Sequence, residues 1–491
     1  MNLKELESYL WGAAVYLRGV IDAGDYKQYI FPLLFYKRIC DVYEEEYRTA
    51  LEESDGDLDY ASFAENHRFQ VPEEVQWKNV RALTVNVGMN LSKAFREIER
   101  VNAQQLQGIF GDAEWTNKER LTDEMLCNLI EHFSQHDLSI GNVPNDMLGN
   151  AYEYLIKKFA DDSGHTAAEF YTNRTVVKLM TLIADPQERE SVYDPTCGSG
   201  GLLLNCAMML KQHGKEYRTM RLFGQEINLI TSAIARMNML LHGFEEFNVE
   251  RGDTLKDPRF IQYDRLQQFD IVLANPPYSI KSWDQGAFTN DPYGRNIWGT
   301  PPQGCADYAF QQHIMQSLHP ETGRCVVLWP HGILFRDAER EMRKKMIASD
   351  TVDCVIGLGP NLFYNSPMEA CLLICRTQKP TERKGKILFI NAVDEIKKEK
   401  TISYLKDKHI QKIFTAYKEY KDIDGFASVV SNEDILANEG TLSIPLYVAK
   451  KQQTEQEKEA ELSLTEIYQQ WQESTQTLRA SMVELFNTAM K

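Results

Sequence analysis

The sequence predicts an α/β domain with a largely parallel sheet, preceded by an all-helical domain and followed by a C-terminal helical extension. Residues 1–165 have the apolar spacing of helices and almost no strand signal. From about residue 190, short apolar runs alternate with helical stretches, which is typical of parallel strands joined by crossover helices. After residue 450 the chain is rich in Gln and Glu and has no proline. We therefore expect domains at 1–165 and 166–450 and a helical segment at 451–491.

The strands are predicted from short runs rich in β-branched and aromatic residues. Most of these runs are separated by helical stretches, such as the one that follows residue 200. Eight runs qualify, namely 191–195, 221–227, 248–253, 269–277, 324–330, 352–359, 370–377 and 386–392.

The C-terminal segment carries a heptad pattern, in which apolar positions alternate steps of four and three residues. Such a helix can pack on its own domain or on a helix of a partner protein, and we favour the partner. The positions are Leu464, Tyr468, Trp471, Thr475, Leu478, Met482, Leu485 and Ala489.

Composition limits the class of protein. A chain of 491 residues exceeds one ordinary core, so two or three domains are expected. No apolar run reaches the roughly 18 residues of a membrane span, and none of the nine cysteines forms a CxxC pair. We expect a cytoplasmic protein with reduced cysteines, no zinc or other metal site and no membrane association.

The net charge is −17, so the chain as a whole would be repelled by a polyanion. Proteins that bind nucleic acid unaided usually carry a basic footprint. A nucleic-acid substrate would therefore require help from a partner.

A glycine-rich turn, "DPTCGSGG" (194–201), follows the first predicted strand. Asp194 ends the strand, and Gly198, Gly200 and Gly201 lead into a helix whose first N–H groups are free to bind a ligand. This pattern alone fits nicotinamide, flavin or S-adenosylmethionine binding, or a tight turn without a ligand.

Polar residues also end the next three strands. Glu226 is suitably spaced to bind ribose hydroxyls, and Asp253 and Asn275 follow the third and fourth strands. Because the carboxyl ends of parallel strands meet at one edge, we expect Asp194, Glu226, Asp253 and Asn275 to line one site.

The sequence "NPPY" (275–278) gives this edge a specific chemistry. Pro276 and Pro277 restrict the backbone, so the Asn275 side-chain carbonyl and the Pro276 carbonyl become two fixed acceptors for one NH₂ group. Tyr278 offers a π-face to the ring that carries this amine. An amine held in this way can attack an electrophilic methyl group.

With "DPTCGSGG", "NPPY" and the upstream "AAEFYTNRTVVKLM" (167–180), the sequence resembles amino-methyltransferases that act on DNA. From about residue 8 to 450 it resembles the modification subunit of type I restriction–modification systems, N6-adenine DNA methyltransferases with a Rossmann-like domain that uses S-adenosylmethionine. Asn173 stands where that family usually has proline, which would loosen this loop.

The resemblance implies a set of site residues. Asn275, Pro276, Pro277 and Tyr278 would hold a flipped adenine, with Phe363 as a further aromatic support. Glu226 would bind the cofactor's ribose and Asp253 its adenine amine. The implied cofactor-binding residues are Glu169, Phe170, Tyr171, Thr172, Asn173, Arg174, Asp194, Gly198, Ser199, Gly200, Gly201, Glu226 and Asp253.

The resemblance also implies partners. DNA would be the substrate, a separate specificity subunit would read its sequence between two modification subunits, and a restriction subunit could join. One alternative keeps the chemistry but methylates a protein glutamine or RNA. Two others are a nicotinamide oxidoreductase, which leaves the proline pair unexplained, and a non-catalytic scaffold.

Overall fold

The structure of the protein is a computed structural model that describes residues 1–162, 172–362, 368–399 and 403–448. Glu169, Phe170, Tyr171 and Phe363 lie outside the described residues, as does the predicted C-terminal helix. Both predicted domain boundaries, after residues 165 and 450, also fall outside them.

The N-terminal region is helical, as predicted. Its first helix begins with a reciprocal cap, in which Asn2 Oδ1 accepts from the Glu5 N–H and Glu5 Oε2 accepts from the Asn2 N–H. The helices are α1 (Leu3–Gly12), α2 (Lys27–Glu53), α3 (Leu58–Ala61), α4 (Trp77–Arg81), α5 (Val87–Val101), α6 (Ala103–Leu106), α7 (Asp123–Phe133) and α8 (Asn145–Asp162).

All eight predicted runs form strands in the second region, where thirteen strands are described. They are β1 (Ser191–Asp194), β2 (Arg221–Glu226), β3 (Phe247–Arg251), β4 (Ile261–Gln262), β5 (Arg265–Leu266), β6 (Ile271–Ala274), β7 (Arg324–Pro330), β8 (Val352–Pro360), β9 (Glu369–Arg376), β10 (Lys386–Ala392), β11 (Lys397–Lys398), β12 (Ser403–Tyr404) and β13 (Ala427–Ser431). The helices are α9 (Arg174–Ala184), α10 (Gly201–Gln212), α11 (Leu229–Leu241), α12 (Gln285–Thr289), α13 (Asp307–Gln316), α14 (Arg340–Ala348), α15 (Asp407–Glu419), α16 (Asn432–Ala437) and α17 (Ile444–Tyr447).

Nine strands form one sheet in the order β13-β10-β8-β9-β7-β6-β1-β2-β3. The half that contains the predicted site, β7-β6-β1-β2-β3, is parallel throughout. The other half is mixed, because β9 pairs antiparallel with β7 and β8, and β13 pairs antiparallel with β10. The α/β prediction is confirmed, and the parallel arrangement holds where the site lies.

The sheet is buried on both faces, which explains its near-continuous apolar strands. Along β6, Ile271 and Leu273 join the core beneath α9 and α10, whereas Val272 and Ala274 join the core on the opposite face.

Helix α11 contributes to two cores. Ile234, Met237 and Leu240 pack into the core of the N-terminal helices, while Ala235 and Met239 pack beneath the sheet. The Arg236 guanidinium donates to the carbonyls of Gln105 and Gln107 in the helical region. This helix therefore joins the two regions.

Candidate active site

The four predicted strand-end residues lie along one edge of the parallel half of the sheet. Asp194 and Glu226 are the last residues of β1 and β2, Asn275 follows β6 directly, and Asp253 follows β3 after one further residue. Since these strands run in the same direction, their carboxyl ends share one side of the molecule, as expected.

The glycine turn adopts the backbone that its sequence predicts. Gly198 and Gly200 have φ values of 53° and 79°, in the left-handed region that favours glycine, and Gly200 precedes α10. A side chain on Gly201 would also collide with its neighbour, because a Cβ there would lie 1.8 Å from Arg174 Nη1. Glycine at 201 thus lets the Arg174 guanidinium pack against the turn.

Glu226 holds this turn against β2. Its Oε2 accepts from the Gly198 N–H at 3.1 Å, and its Oε1 accepts from the Asn228 N–H at 2.9 Å. The carboxylate is only 7% exposed, and burial raises its pKa. Each carboxylate oxygen can accept a second hydrogen bond, so Glu226 retains the capacity to bind hydroxyl groups.

The segment that begins α9 is tied to the end of β6. Thr172 Oγ1 accepts from Asn275 Nδ2 at 3.1 Å. Asn173 caps the helix, since its Oδ1 accepts from the Thr175 N–H at 3.0 Å while its Nδ2 donates to the Ser403 carbonyl. Asn173 therefore anchors the start of α9, and the loosening expected from the absence of proline stays a prediction.

Arg174 connects the site to the helical region. Its guanidinium forms an ion pair with Glu153 on α8. Asn238 Nδ2 on α11 donates both to Glu153 Oε1, at 2.6 Å, and to the Ser199 carbonyl in the glycine turn, at 3.0 Å. Sequence reasoning missed Glu153 and Asn238, which lie far from the recognised motifs.

In the "NPPY" turn, Asn275 and Tyr278 bond to each other. The Tyr278 hydroxyl donates to Asn275 Oδ1, so the ring is fixed by its hydroxyl as well as by packing against both cores of the sheet. Among the described residues, no backbone N–H donates to the Pro276 carbonyl. Asn275 Oδ1 has a second lone pair, and thus both predicted acceptors can accept a hydrogen bond from an amine.

A cavity joins the glycine turn to Asn275. Thr172, Arg174, Asp194, Ser199 and Asn275 are among its lining residues, so one space contacts both recognised motifs. A larger cleft of about 1080 Å³ lies in the helical region, and no predicted site residue lines it. Of the four strand-end residues, Asp194 and Asn275 line the cavity, whereas Glu226 and Asp253 do not. Asp253 Oδ1 accepts from the N–H groups of Leu255 and Lys256.

Two further residues near the site were missed by sequence reasoning. Ile227 is 62% exposed directly after Glu226, an unusual exposure for an aliphatic side chain at a strand end. Arg295, in the long connection after "NPPY", is buried and donates to the carbonyls of Thr254 and Leu255, beside Asp253.

Asp194 is 1% exposed, and burial together with the nearby Glu226 charge raises its pKa from the usual 3.8 to about 8. Its Oδ1 accepts from the Thr196 N–H at 3.0 Å. The folded protein therefore keeps this carboxyl protonated at a pH where the unfolded chain has released the proton.

This difference predicts a pH-dependent stability. As the pH rises from about 4 to about 8, the contribution of Asp194 to the unfolding free energy of the ligand-free protein should fall, because this carboxyl keeps its proton in the folded state and loses it in the unfolded state. Asp194→Asn keeps an acceptor for Thr196 but cannot titrate, so its stability should fall less steeply. Urea unfolding across this pH range measures both slopes, and equal slopes would contradict the assignment.

The chain matches two family models. Residues 143–456 match the family described as N-6 DNA Methylase, and residues 6–133 match the HsdM N-terminal domain. The chain belongs to the N-6 DNA methylase family. It is a DNA adenine methyltransferase of the type I restriction–modification class.

Named relatives agree with this assignment. The methylase subunit of the type I restriction enzyme MjaVIII from Methanocaldococcus jannaschii is 31% identical over 91% of this chain and 78% of its own. The MpnII methylase subunit from Mycoplasma pneumoniae is 27% identical over 92% of this chain and 90% of its own.

A solved structure agrees as well. The type I methyltransferase subunit from Streptococcus thermophilus superposes with a TM-score of 0.79 and 32% identity, covering 91% of this chain and all of the other. Within the part of this methylase that the structure describes, every helix is too short or too polar to span a bilayer.

Proposed function

We propose that this methylase subunit transfers the methyl group of S-adenosylmethionine to the N6 amine of an adenine flipped out of DNA. The observation that carries the proposal is the cavity shared by the glycine turn and Asn275. Methyl transfer requires donor and acceptor atoms to be held close together and in line. The cavity is only about 20 Å³, so it marks where the two motifs meet: groups bound to the glycine turn and to Asn275 would face each other there.

The residues at the strand ends suit S-adenosylmethionine. Glu226 would accept from the ribose hydroxyls, Asp253 from the adenine amine, and the exposed Ile227 would pack on the adenine face. Asp194 and the glycine turn would border the methionine portion, next to Thr172 and Arg174. The cofactor would supply an electrophilic methyl group.

Asn275 and Pro276 would hold the target amine. The Asn275 Oδ1 and the Pro276 carbonyl would each accept a hydrogen bond from one of its N–H groups, leaving the nitrogen lone pair directed at the methyl group. The bond from Tyr278 to Asn275 Oδ1 fixes the amide, so little reorganisation is needed when the base enters. Extruding that base from the duplex costs a few kcal/mol, which DNA contacts must repay.

Those contacts must come in part from partners. The chain carries a net charge of −17, and its relatives are named as subunits. A specificity subunit, bound by two copies of this chain, would read the DNA and supply the DNA contacts that the acidic chain lacks. A restriction subunit could join the same assembly. The heptad segment would be the docking helix.

Label transfer tests this proposal. The chain, alone and with its specificity subunit, would be incubated with tritiated S-adenosylmethionine and unmethylated DNA, and the digested products separated. We expect the isolated chain to bind the cofactor but to bind DNA only weakly. Label should enter N6-methyladenine only when the chain is assembled with its specificity subunit. Label in protein glutamine or RNA would favour the alternative substrate, and no cofactor binding would overturn the proposal.

The docking role of the heptad segment has its own test. Deleting residues 455–491 should impair assembly and DNA methylation while cofactor binding persists, because the cofactor residues lie elsewhere. Trp471 is the expected anchor, since aromatic residues dominate interfaces at about 2 kcal/mol or more. If the truncated chain still co-purified with its partner and methylated at the same rate, the helix would instead belong to its own domain.

A further inference from the structure

The residue after the catalytic tyrosine has an unusual backbone. Ser279 has a φ of 49°, in the left-handed region that side chains other than glycine rarely adopt. Its N–H donates to Asp307 Oδ1 at 2.8 Å. Strained conformations of this kind persist only where surrounding contacts fix them, and they concentrate at functional sites.

Asp307 is itself rigidly held. It is the first residue of α13 and is fully buried. Its second oxygen, Oδ2, accepts from Arg336 Nη2 at 2.5 Å, and Arg336 Nε donates to the buried Glu339 at 2.8 Å. Arg336 Nη1 also lies 3.5 Å from Ser279 Oγ.

A metal ion is not needed to explain this cluster. Ligand-type atoms of Cys305, Asp307 and Glu339 lie within 4.8 Å of one another. The Arg336 guanidinium bonds to both carboxylates, and their hydrogen bonds and charges raise its pKa. Arg336 therefore supplies the positive charge that buried carboxylates require.

We propose that Asp307, held by Arg336 and Glu339, is a positioning residue for methyl transfer. By fixing the Ser279 N–H it sets the direction in which the chain leaves "NPPY", and so the orientation of Tyr278 and of the Asn275 amide bonded to it. The inference rests on the proposed function. Asp307 acts through these residues and contacts neither substrate.

The chain offers a matched control. Asp123 is likewise the first residue of a helix, and its Oδ1 and Oδ2 accept from the N–H groups of Val87 and Asn86. Asn86 is also left-handed, with a φ of 52°, but it lies in the helical region. Asp123→Ala thus removes the same kind of contact away from the site.

The experiment uses the chain assembled with its specificity subunit and measures single-turnover methylation, cofactor affinity and the fluorescence of 2-aminopurine at the target position. Asp307→Ala should slow methyl transfer by about 10²-fold, the loss typical of misplaced reacting groups, with cofactor affinity unchanged. Asp307→Asn keeps an acceptor for Ser279 and should restore most of the rate. Asp123→Ala should react like the unmodified protein.

If Asp307→Ala does not fold, Ser279→Pro replaces it, because proline at this exposed position removes the N–H and cannot adopt the observed φ. A comparable loss of rate in this variant supports the proposal. Wild-type turnover in either variant overturns it. The proposal also fails if cofactor affinity and rate fall equally and Asp307→Asn does not restore the rate. An unmodified complex that fails to methylate DNA would instead refute the proposed function.

Discussion

Asn275→Ala is expected to lower the rate of methyl transfer by at least about 10²–10³-fold while cofactor affinity stays unchanged. The substitution removes the proposed acceptor of the target amine, and the loss of one preorganised hydrogen-bonding group at a reacting centre typically costs this much. It also releases Thr172 and Tyr278 from the amide that bonds to both. Single-turnover label transfer and calorimetry with S-adenosylmethionine measure the two quantities.

Asn391 offers a control for this variant. It lies near the end of β10, a strand of the same sheet, and its Oδ1 accepts from the Val393 N–H. Asn391→Ala should therefore leave turnover intact. Near-normal turnover in Asn275→Ala would remove Asn275 from the catalytic assignment.

Glu226→Ala is expected to weaken S-adenosylmethionine binding about 10–100-fold with the fold preserved. Hydrogen bonds to charged groups are worth roughly 1.5–3 kcal/mol each, and about 1.4 kcal/mol corresponds to tenfold in affinity. The substitution removes the proposed acceptor for the ribose and also the acceptor that fixes the Gly198 N–H. Calorimetry measures the dissociation constant.

Two further variants sharpen the interpretation. Glu226→Gln retains one acceptor oxygen and should bind with intermediate affinity. Glu250→Ala, an exposed acid on the neighbouring strand β3, should bind like the unmodified chain. An unchanged dissociation constant in Glu226→Ala would exclude Glu226 as the ribose ligand.

The strands were predictable from the sequence because they are buried on both faces and read as continuous apolar runs. The directions of the strands were harder to predict. Only residues 361–368 lie between β8 and β9, too few for the crossover that parallel neighbours need, and the two strands form an antiparallel pair within a sheet expected to be largely parallel. Strand β13 was missed because four of its five residues are only partly buried.

The positions of Asp194, Glu226 and Asn275 could be predicted from the sequence, because each is the polar residue at the end of an apolar strand. The sequence could not reveal which residues far apart along the chain contact each other. Arg336 reaches Asp307, and Arg295 reaches the carbonyls beyond β3, through contacts that only the folded chain brings together. Nor could it reveal that Tyr278 donates to Asn275, because that depends on how the turn is closed.

The dual packing of α11 constrains the order in which the chain can fold during synthesis. The core of the N-terminal helices includes Ile234, Met237 and Leu241, which the ribosome delivers after every one of those helices has been made. Chains emerge N-terminus first, and domains generally fold as units as they appear. Here the first region cannot bury its apolar surface fully until α11 has followed it out, and with it the glycine turn, β1 and β2 that precede α11. The helical region and the glycine turn are therefore completed together, before β3 and β6 have been made.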